Sequence, residues 1–414
     1  MSADANTAGF LRGKKFLIVS ALFPPDVLGG AEMTAAEQAL WLAKNGAEVG
    51  VLTTAKNRDE VCAGKMENGL KVWRVWAPRP YPMFFFAAAK FWQKPLWHLQ
   101  DHLDPRNRWL AAKVLDAFQP DYALVHVLQG LGYNVLKEIG RRNIPVVYFT
   151  HDLSLACLRT TMFKGGAECT AQCGACKISS AYKASVAAKI PHLAYCAPSR
   201  THLEKLVRYF PVKARPHTAI FNANKYPAAT VARTESDRLR ILYVGRLHHT
   251  KGIQVLLAAA AELAKTSPLT VTVAGAGPDE EALRAQYGDA EWCHFAGFLP
   301  QTEISNLMIG SDVLVMPSLV AESLGGSAVH ALTLGLPVIG SDIGGIPELV
   351  SDGKNGLLVA PGDQEALRAA LEKVTREPAL LENWRAYALA DTRRFDQDYL
   401  GKQIVDLVRK LPAA

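Results

Sequence analysis

Residues 316–350, MPSLVAESLGGSAVHALTLGLPVIGSDIGGIPELV, decide how this chain folds. The apolar run at 313–316 reads as a short buried strand, and Pro317-Ser318 ends it. Glu322 then stands just ahead of Gly325 and Gly326, where backbone amides opening a helix face an anionic ligand. The helix from about Ser327 carries Val329, Leu332 and Leu334 towards a core, and Gly335-Leu336-Pro337 stops it. Val338-Ile339 restarts a strand, and a second glycine turn fills 342–348. A carboxylate at a strand end beside open helix amides suits a ligand with hydroxyls at one end and phosphates at the other. A nucleotide sugar is such a ligand. An ordinary βαβ unit with Glu322 as a solvated cap is the other reading of the same residues.

Working outward, 414 residues exceed one ordinary core, so two domains are expected. With 49% hydrophobic and 21% charged residues the composition is that of a soluble globular protein. The charge is uneven: residues 1–200 hold 24 Lys and Arg against 15 Asp and Glu, and the rest hold 22 against 24. The first half is therefore the one suited to an anion, a phosphorylated acceptor or a lipid surface, although solubility alone explains the same bias. No uninterrupted apolar stretch approaches the roughly 20 residues of a membrane span. The run 16–22 after Lys14-Lys15 is short, is followed by Pro24-Pro25-Asp26 and lacks a small-residue cleavage site. It reads as a first buried strand, not a signal peptide. A cytosolic location is expected, and the seven cysteines are then thiols or metal ligands, not disulfides.

After that strand come Gly29 and Gly30, a helical pattern through Ala43 and a second strand at 49–52. Strand, paired glycines and helix form one half of a Rossmann-like fold, with backbone able to approach a ligand closely. Residues 79–99, RPYPMFFFAAAKFWQKPLWHL, mix aromatics with Arg79, Lys90 and Lys94. That mixture suits a surface dipping into lipid headgroups, or equally a partly buried helix with core aromatics. His126 and His151 each end a strand, and carboxyl ends of strands border the ligand crevice of open α/β sheets. An irregular insert at about 157–176 holds Cys157, Cys169, Cys173 and Cys176. Its Cys-x3-Cys-x2-Cys spacing occurs in radical-SAM iron–sulfur enzymes, but early in a barrel of βα repeats, not in a mid-chain loop. Four thiolates around a structural zinc fit it geometrically, and so do reduced, unliganded cysteines.

The second domain opens on a strand at 239–244 and the loop Gly245-Arg246 to Lys251-Gly252. Two cations in a glycine-bounded loop entering a helix would neutralise a diphosphate. Another strand, 269–273, leads to Gly275 and Gly277. The tail 391–411 has helical periodicity, and its Asp396-Gln397-Asp398 reads as a solvated face.

Glu322-Ser323-Leu324-Gly325, then His330-Ala331, then Gly335-Leu-Pro-Val-Ile339 resemble the signature of the retaining glycosyltransferases of family 4. The resemblance covers nearly the whole chain and is looser before residue 120. It implies an α/β GT-B fold, two Rossmann-like domains facing across a cleft with the last helix returning to the first. The boundaries expected are 1–212, 213–390 and 391–414, with a linker at 210–217. It also implies transfer, with retention, of a sugar from a UDP- or GDP-type donor to a glycan or lipid-linked acceptor in envelope polysaccharide synthesis. By the same resemblance His151, Glu322, Arg246 and Lys251 are catalytic and no metal is required. Gly245, Gly275, Gly277, Ser323, Leu324, Gly325, Gly326 and His330 are donor-binding, and Gly29, Gly30 and His126 lie on the acceptor side. The protein would then be cytoplasmic, peripheral on the membrane's inner face, with no nucleic-acid partner. Two departures stand out: His330 replaces the second glutamate, which in the family accepts hydrogen bonds from ribose, and Ala223 replaces a glycine. A GT-B subunit that binds without catalysing, or a nucleotide-sugar epimerase on the same fold, are the readings to be separated from a transferase.

Overall fold

Strand β1 (Lys15–Val19) is the first apolar run; parallel neighbours flank both its edges and a hydrophobic core covers each of its faces. Phe16 and Ile18 enter one core, Leu17 and Val19 the other, as the two-residue period of a strand requires. The computed structural model describes residues 5–77, 79–85, 89–222 and 224–412, the side chain of Phe91 apart. Residues 86–88 of the aromatic stretch and Ala223 thus lie outside the described residues. The first unit continues through β2 (Glu48–Thr54), β3 (Cys62–Glu67), β4 (Leu70–Val75), β5 (Tyr122–Val125) and β6 (Val146–Phe149). A small separate hairpin, β7 (Phe163–Lys164) and β8 (Ala167–Glu168), precedes β9 (Leu193–Ala197) and β10 (His217–Ala219). The sheet order is β10-β9-β6-β5-β1-β2-β4-β3, parallel except for the β3–β4 pair. The chain leaves β1 on one side for β2 and returns on the other at β5, which puts the topological switch point between β1 and β5.

The second unit holds β11 (Leu239–Val244), β12 (Leu269–Ala274), β13 (Cys293–Gly297), β14 (Val313–Met316), β15 (Val338–Ser341) and β16 (Gly356–Val359). Its order is β13-β12-β11-β14-β15-β16, all parallel, with the switch point between β11 and β14. One unit runs up to Asn224 and resumes at Asp396; the other is Lys225–Phe395. The stretch 210–217, expected as a linker, is instead part of the first unit. Val212 is buried there, and β10 pairs with β9 as the sheet's edge. No helix among the described residues is long and apolar enough to cross a membrane.

The terminal helix Gln397–Arg409 packs on the helix Gly30–Lys44 within the first unit. Gly401 makes the approach possible, since a Cβ there would lie 2.5 Å from the Trp41 ring. Asp396 and Asp398, expected on a solvated face, are both engaged. Asp396 caps the helix by accepting the Tyr399 N–H at 2.9 Å, and Asp398 accepts the Trp41 indole N–H at 2.8 Å. Asp398→Ala is expected to lower the unfolding free energy of this unit by about 1 kcal/mol, and Asp398→Asn, which keeps the acceptor, by less. Urea titration followed by Trp41 fluorescence checks the difference.

Candidate active site

In the second unit the loops after β11 and β14, the two strands at the switch point, are welded together by close backbone contacts. Leu319 N–H donates to the Thr250 carbonyl at 2.9 Å. Gly252, at φ +70°, sits so close that a Cβ would lie 1.7 Å from the Pro317 carbonyl oxygen. This weld brings Lys251 to Glu322. The ammonium reaches both carboxylate oxygens, at 2.6 and 2.9 Å, and the Ser318 hydroxyl donates to Oε1 at 2.6 Å. Glu322 is held from behind as well: its backbone bridges Gly344, and its carbonyl accepts the Gly345 N–H at 2.8 Å. A Cβ on Gly344 would come within 2.5 Å of the Glu322 backbone, so the second glycine turn is what lets the two loops lie flat.

These side chains line a depression of about 100 Å³ together with Tyr243, Gly325, Gly326 and Ser327. Gly325, left-handed at φ +109°, precedes the helix Gly326–Thr333, whose first amides open beside the Glu322 carboxylate. Tyr243 donates its hydroxyl to the Arg246 carbonyl at 2.9 Å, and burial, reinforced by the Glu322 charge, raises its pKa. Arg246 is exposed on the same loop. Gly275 and Gly277, expected at the donor, are backbone spacers here. A Cβ on them would lie 1.9 Å from the Gly245 carbonyl oxygen and 2.1 Å from that of Leu247. Gly245 itself packs against the Tyr243 ring, and the Leu324 side chain is buried.

His330 does not line the depression. It is buried on the helix Gly326–Thr333, stacked on the Tyr226 ring at 4.0 Å, with Nε2 3.0 Å from the Ser305 hydroxyl. Ser305 donates to the Pro227 carbonyl at 2.7 Å, which leaves its oxygen to accept from His330 Nε2–H. Burial lowers the His330 pKa to about 4 from the usual 6.5. The sign follows from linkage: the unfolded chain takes up a proton near pH 6.5 and the folded one only near 4. Stability is therefore full above about 6.5, falls as pH drops towards 4, and levels off below. His330→Gln is expected to remove up to about 3 kcal/mol of that fall. Urea midpoints between pH 4 and 7, compared for both proteins, measure it.

In the first unit, the expected residues stand after three adjacent strands. Gly29 and Gly30 follow β1, His126 follows β5 and His151 follows β6. Glu32 closes the glycine loop on itself by accepting the Gly29 N–H at 2.9 Å, so that amide is already used. Burial raises the Glu32 pKa, and Asp152 adds to the shift. His126 Nδ1 and His151 Nε2 share a hydrogen bond of 2.9 Å, and His126 stacks on Phe149 at 4.5 Å. Burial, with His202 nearby, brings His151 down to about 3, and burial lowers His126 as well. Both rings are neutral at pH 7. His126 is thus fully buried behind His151, with Nε2 unpartnered among the described residues.

The cysteine insert brings Cys157 and Cys176 to an Sγ–Sγ distance of 3.8 Å, and all seven cysteines are free thiols. Cys173 caps the helix Gly174–Ala187 from its N-terminal end and is exposed; backbone N–H groups of the helix start and the Cys176 thiol lower its pKa. Burial lifts Cys176 to about 11. Among the described residues no group of three His, Cys, Asp or Glu is arranged to hold a metal ion, so the four-thiolate arrangement read from the spacing is not formed here. Cys169 follows the small hairpin and donates its N–H to the Met162 carbonyl at 2.7 Å.

Sequence reasoning missed Ser318, Tyr243, Tyr226 and the support given by Gly344 and Gly345. Ser318, four residues before the glutamate on the same strand-end loop, was within reach of a local reading. Tyr226, about a hundred residues from its partner His330, was not.

Two family models match the chain: "Glycosyl transferase 4-like domain" over residues 29–176 and "Glycosyl transferases group 1" over residues 230–391. The 2-deoxystreptamine glucosyltransferase of Streptomyces kanamyceticus is 42% identical over 141 residues, 33% of this chain and 36% of that protein. The glycogen synthase of Mycobacterium tuberculosis is 34% identical over 182 residues, 43% of each chain. The matches thus span less than half the length of these curated relatives. Sucrose-phosphate synthase from Thermosynechococcus elongatus superposes with a TM-score of 0.75 at 17% identity, covering 96% of this chain and 98% of that one. Anabaena HepE in complex with UDP and glucose gives 0.68 at 18% identity, with 96% and 100% covered. Matched by the family's models in both parallel-sheet units and sharing the GT-B fold of these neighbours, the chain belongs to the group 1 glycosyl transferases.

Proposed function

We propose that the protein is a retaining glycosyltransferase that moves a sugar from a UDP- or GDP-type donor to a glycan or lipid-linked acceptor in envelope polysaccharide synthesis. The observation that carries this reading is the Glu322–Lys251–Ser318 cluster at the β11/β14 switch point, beside a glycine-opened helix start. Departure of a nucleoside diphosphate builds negative charge. Lys251, exposed Arg246 and the amides at Gly325–Gly326 stabilise it, and the reading assigns no metal to the step. Glu322 accepts hydrogen bonds from sugar hydroxyls once Lys251 turns to the phosphates. His151, neutral at pH 7, is the residue of the first unit assigned to the sugar. HepE, with UDP and glucose bound, supports a nucleotide-sugar donor. The names of relatives such as the Erwinia amylovora amylovoran biosynthesis glycosyltransferase support a polysaccharide role.

The buried, Ser305-bound His330 is the one observation favouring a subunit that binds without catalysing. Release of nucleoside diphosphate from a panel of UDP- and GDP-sugars, with and without glycan acceptors, separates the two. Release that rises with an acceptor and vanishes in Glu322→Gln supports the transferase. Nucleotide binding with no release from any donor supports the subunit. Conversion of donor to an epimer without acceptor would point to the third reading.

A further inference from the structure

The aromatic stretch after Arg79 is absorbed by none of this. Its helix, Lys94–Leu103, is pinned to the first unit by one face. Trp97 is fully buried and donates its indole N–H to the Tyr81 carbonyl at 2.9 Å. Asp101, four residues on, is buried against Arg79 at 3.1 Å and accepts the Gly130 N–H at 2.8 Å. The opposite face carries large apolar side chains into solvent. Trp92, Leu96, Leu99 and Leu103 are 61%, 52%, 56% and 55% exposed. Their spacing of four, three and four residues sets them in one stripe along the helix and the turn before it. A lone exposed leucine is ordinary; four large apolar side chains in register, led by a tryptophan, form a face without a partner among the described residues. The charge beside its start has one sign, and Asp101 and Asp104 at its end are buried against Arg79. Lys90 and Lys94 flank the start of the stripe, and no Asp or Glu occurs from residue 80 through 100.

We propose that this face docks the protein on an anionic lipid bilayer, the stripe entering the headgroup–acyl boundary while the lysines meet lipid phosphates. Apolar insertion and charge attraction are the two terms that hold an interfacial helix, and both are here on one short element. The complementary charge favours a lipid surface over a second copy of this chain, whose identical lysines would face each other across a two-fold contact. The docking is independent of whether the chain transfers a sugar.

The test is sedimentation of the full chain with phosphatidylcholine vesicles, with and without phosphatidylglycerol. Binding to the anionic vesicles, at least about tenfold weaker to neutral ones, is expected. Leu96→Ser/Leu99→Ser should reduce it more than about tenfold, and Lys90→Gln/Lys94→Gln about tenfold. Because the four side chains are exposed, thermal melts of these variants should match the parent. Absence of vesicle binding, equal binding to both vesicle types, or unchanged binding by the folded leucine variant overturns the idea. So does a dimer, seen by analytical ultracentrifugation, that the leucine substitutions dissolve while vesicles are ignored.

Discussion

Glu322→Gln is expected to lower sugar transfer about 100- to 1,000-fold while leaving the melting temperature within a few degrees of the parent. The carboxylate is held on three sides: Lys251 reaches both its oxygens, Ser318 donates to one, and Gly344–Gly345 fix its backbone. Such a group is already in place before a ligand arrives, and its alignment is not lost to rearrangement in the reaction. Glutamine keeps the size and the Ser318 contact but removes the charge that Lys251 answers. Lys251 is 35% exposed, so water takes over its solvation and little stability is lost. Initial rates with saturating donor check this. Transfer within threefold of the parent would remove Glu322 from the chemistry.

The second large effect is on stability. Gly252→Ala is expected to destabilise the second unit by about 3 kcal/mol or more, through a left-handed backbone and a Cβ 1.7 Å from the Pro317 oxygen. The only escape is for the loops after β11 and β14 to separate, which also takes Lys251 away from Glu322. Gly326→Ala is the control. Its Cβ would meet nothing nearer than the Tyr226 hydroxyl at 3.8 Å and its φ is not positive, so less than about 1 kcal/mol is expected. Urea unfolding followed by far-ultraviolet circular dichroism distinguishes them, and equal midpoints would mean that the weld is soft.

Both effects rest on positions that a linear reading identifies to different degrees. The glycine-broken strand–helix pattern around Glu322 was legible, because a Gly-Gly opening and a Gly-Leu-Pro stop are local backbone requirements. Lys251 and Glu322 were each visible, but not their ion pair, since adjacency of β11 and β14 comes from the sheet order and not from spacing along the chain. Gly275 and Gly277 stand out in the sequence for the absence of a Cβ, and the fold adds a requirement that spacing does not show: a neighbouring loop occupies the space a Cβ would take. His330 was read by its position in a motif, whereas its environment is set by Tyr226 and Ser305, distant residues with no signature of their own. The cysteines show the same limit. Spacing brought four together on paper, and the fold gathers Cys157 and Cys173 around Cys176, with Cys173 exposed and the other two buried. Asp396 and Asp398 read as a solvated face from their place in a terminal helix; Asp396 is exposed there and caps the helix, while the reach of Trp41 makes Asp398 a structural acceptor.

The most direct test of the central claim is thermal stabilisation of the purified chain by UDP, GDP, ADP and their sugars, repeated with Arg246→Ala and Lys251→Ala. A nucleoside diphosphate site built on these two cations predicts an upward shift with one base and a shift lost or strongly reduced in both variants. It also predicts that uncharged sugars alone produce none. No shift with any nucleotide, or a shift that persists undiminished when both cations are gone, would contradict it.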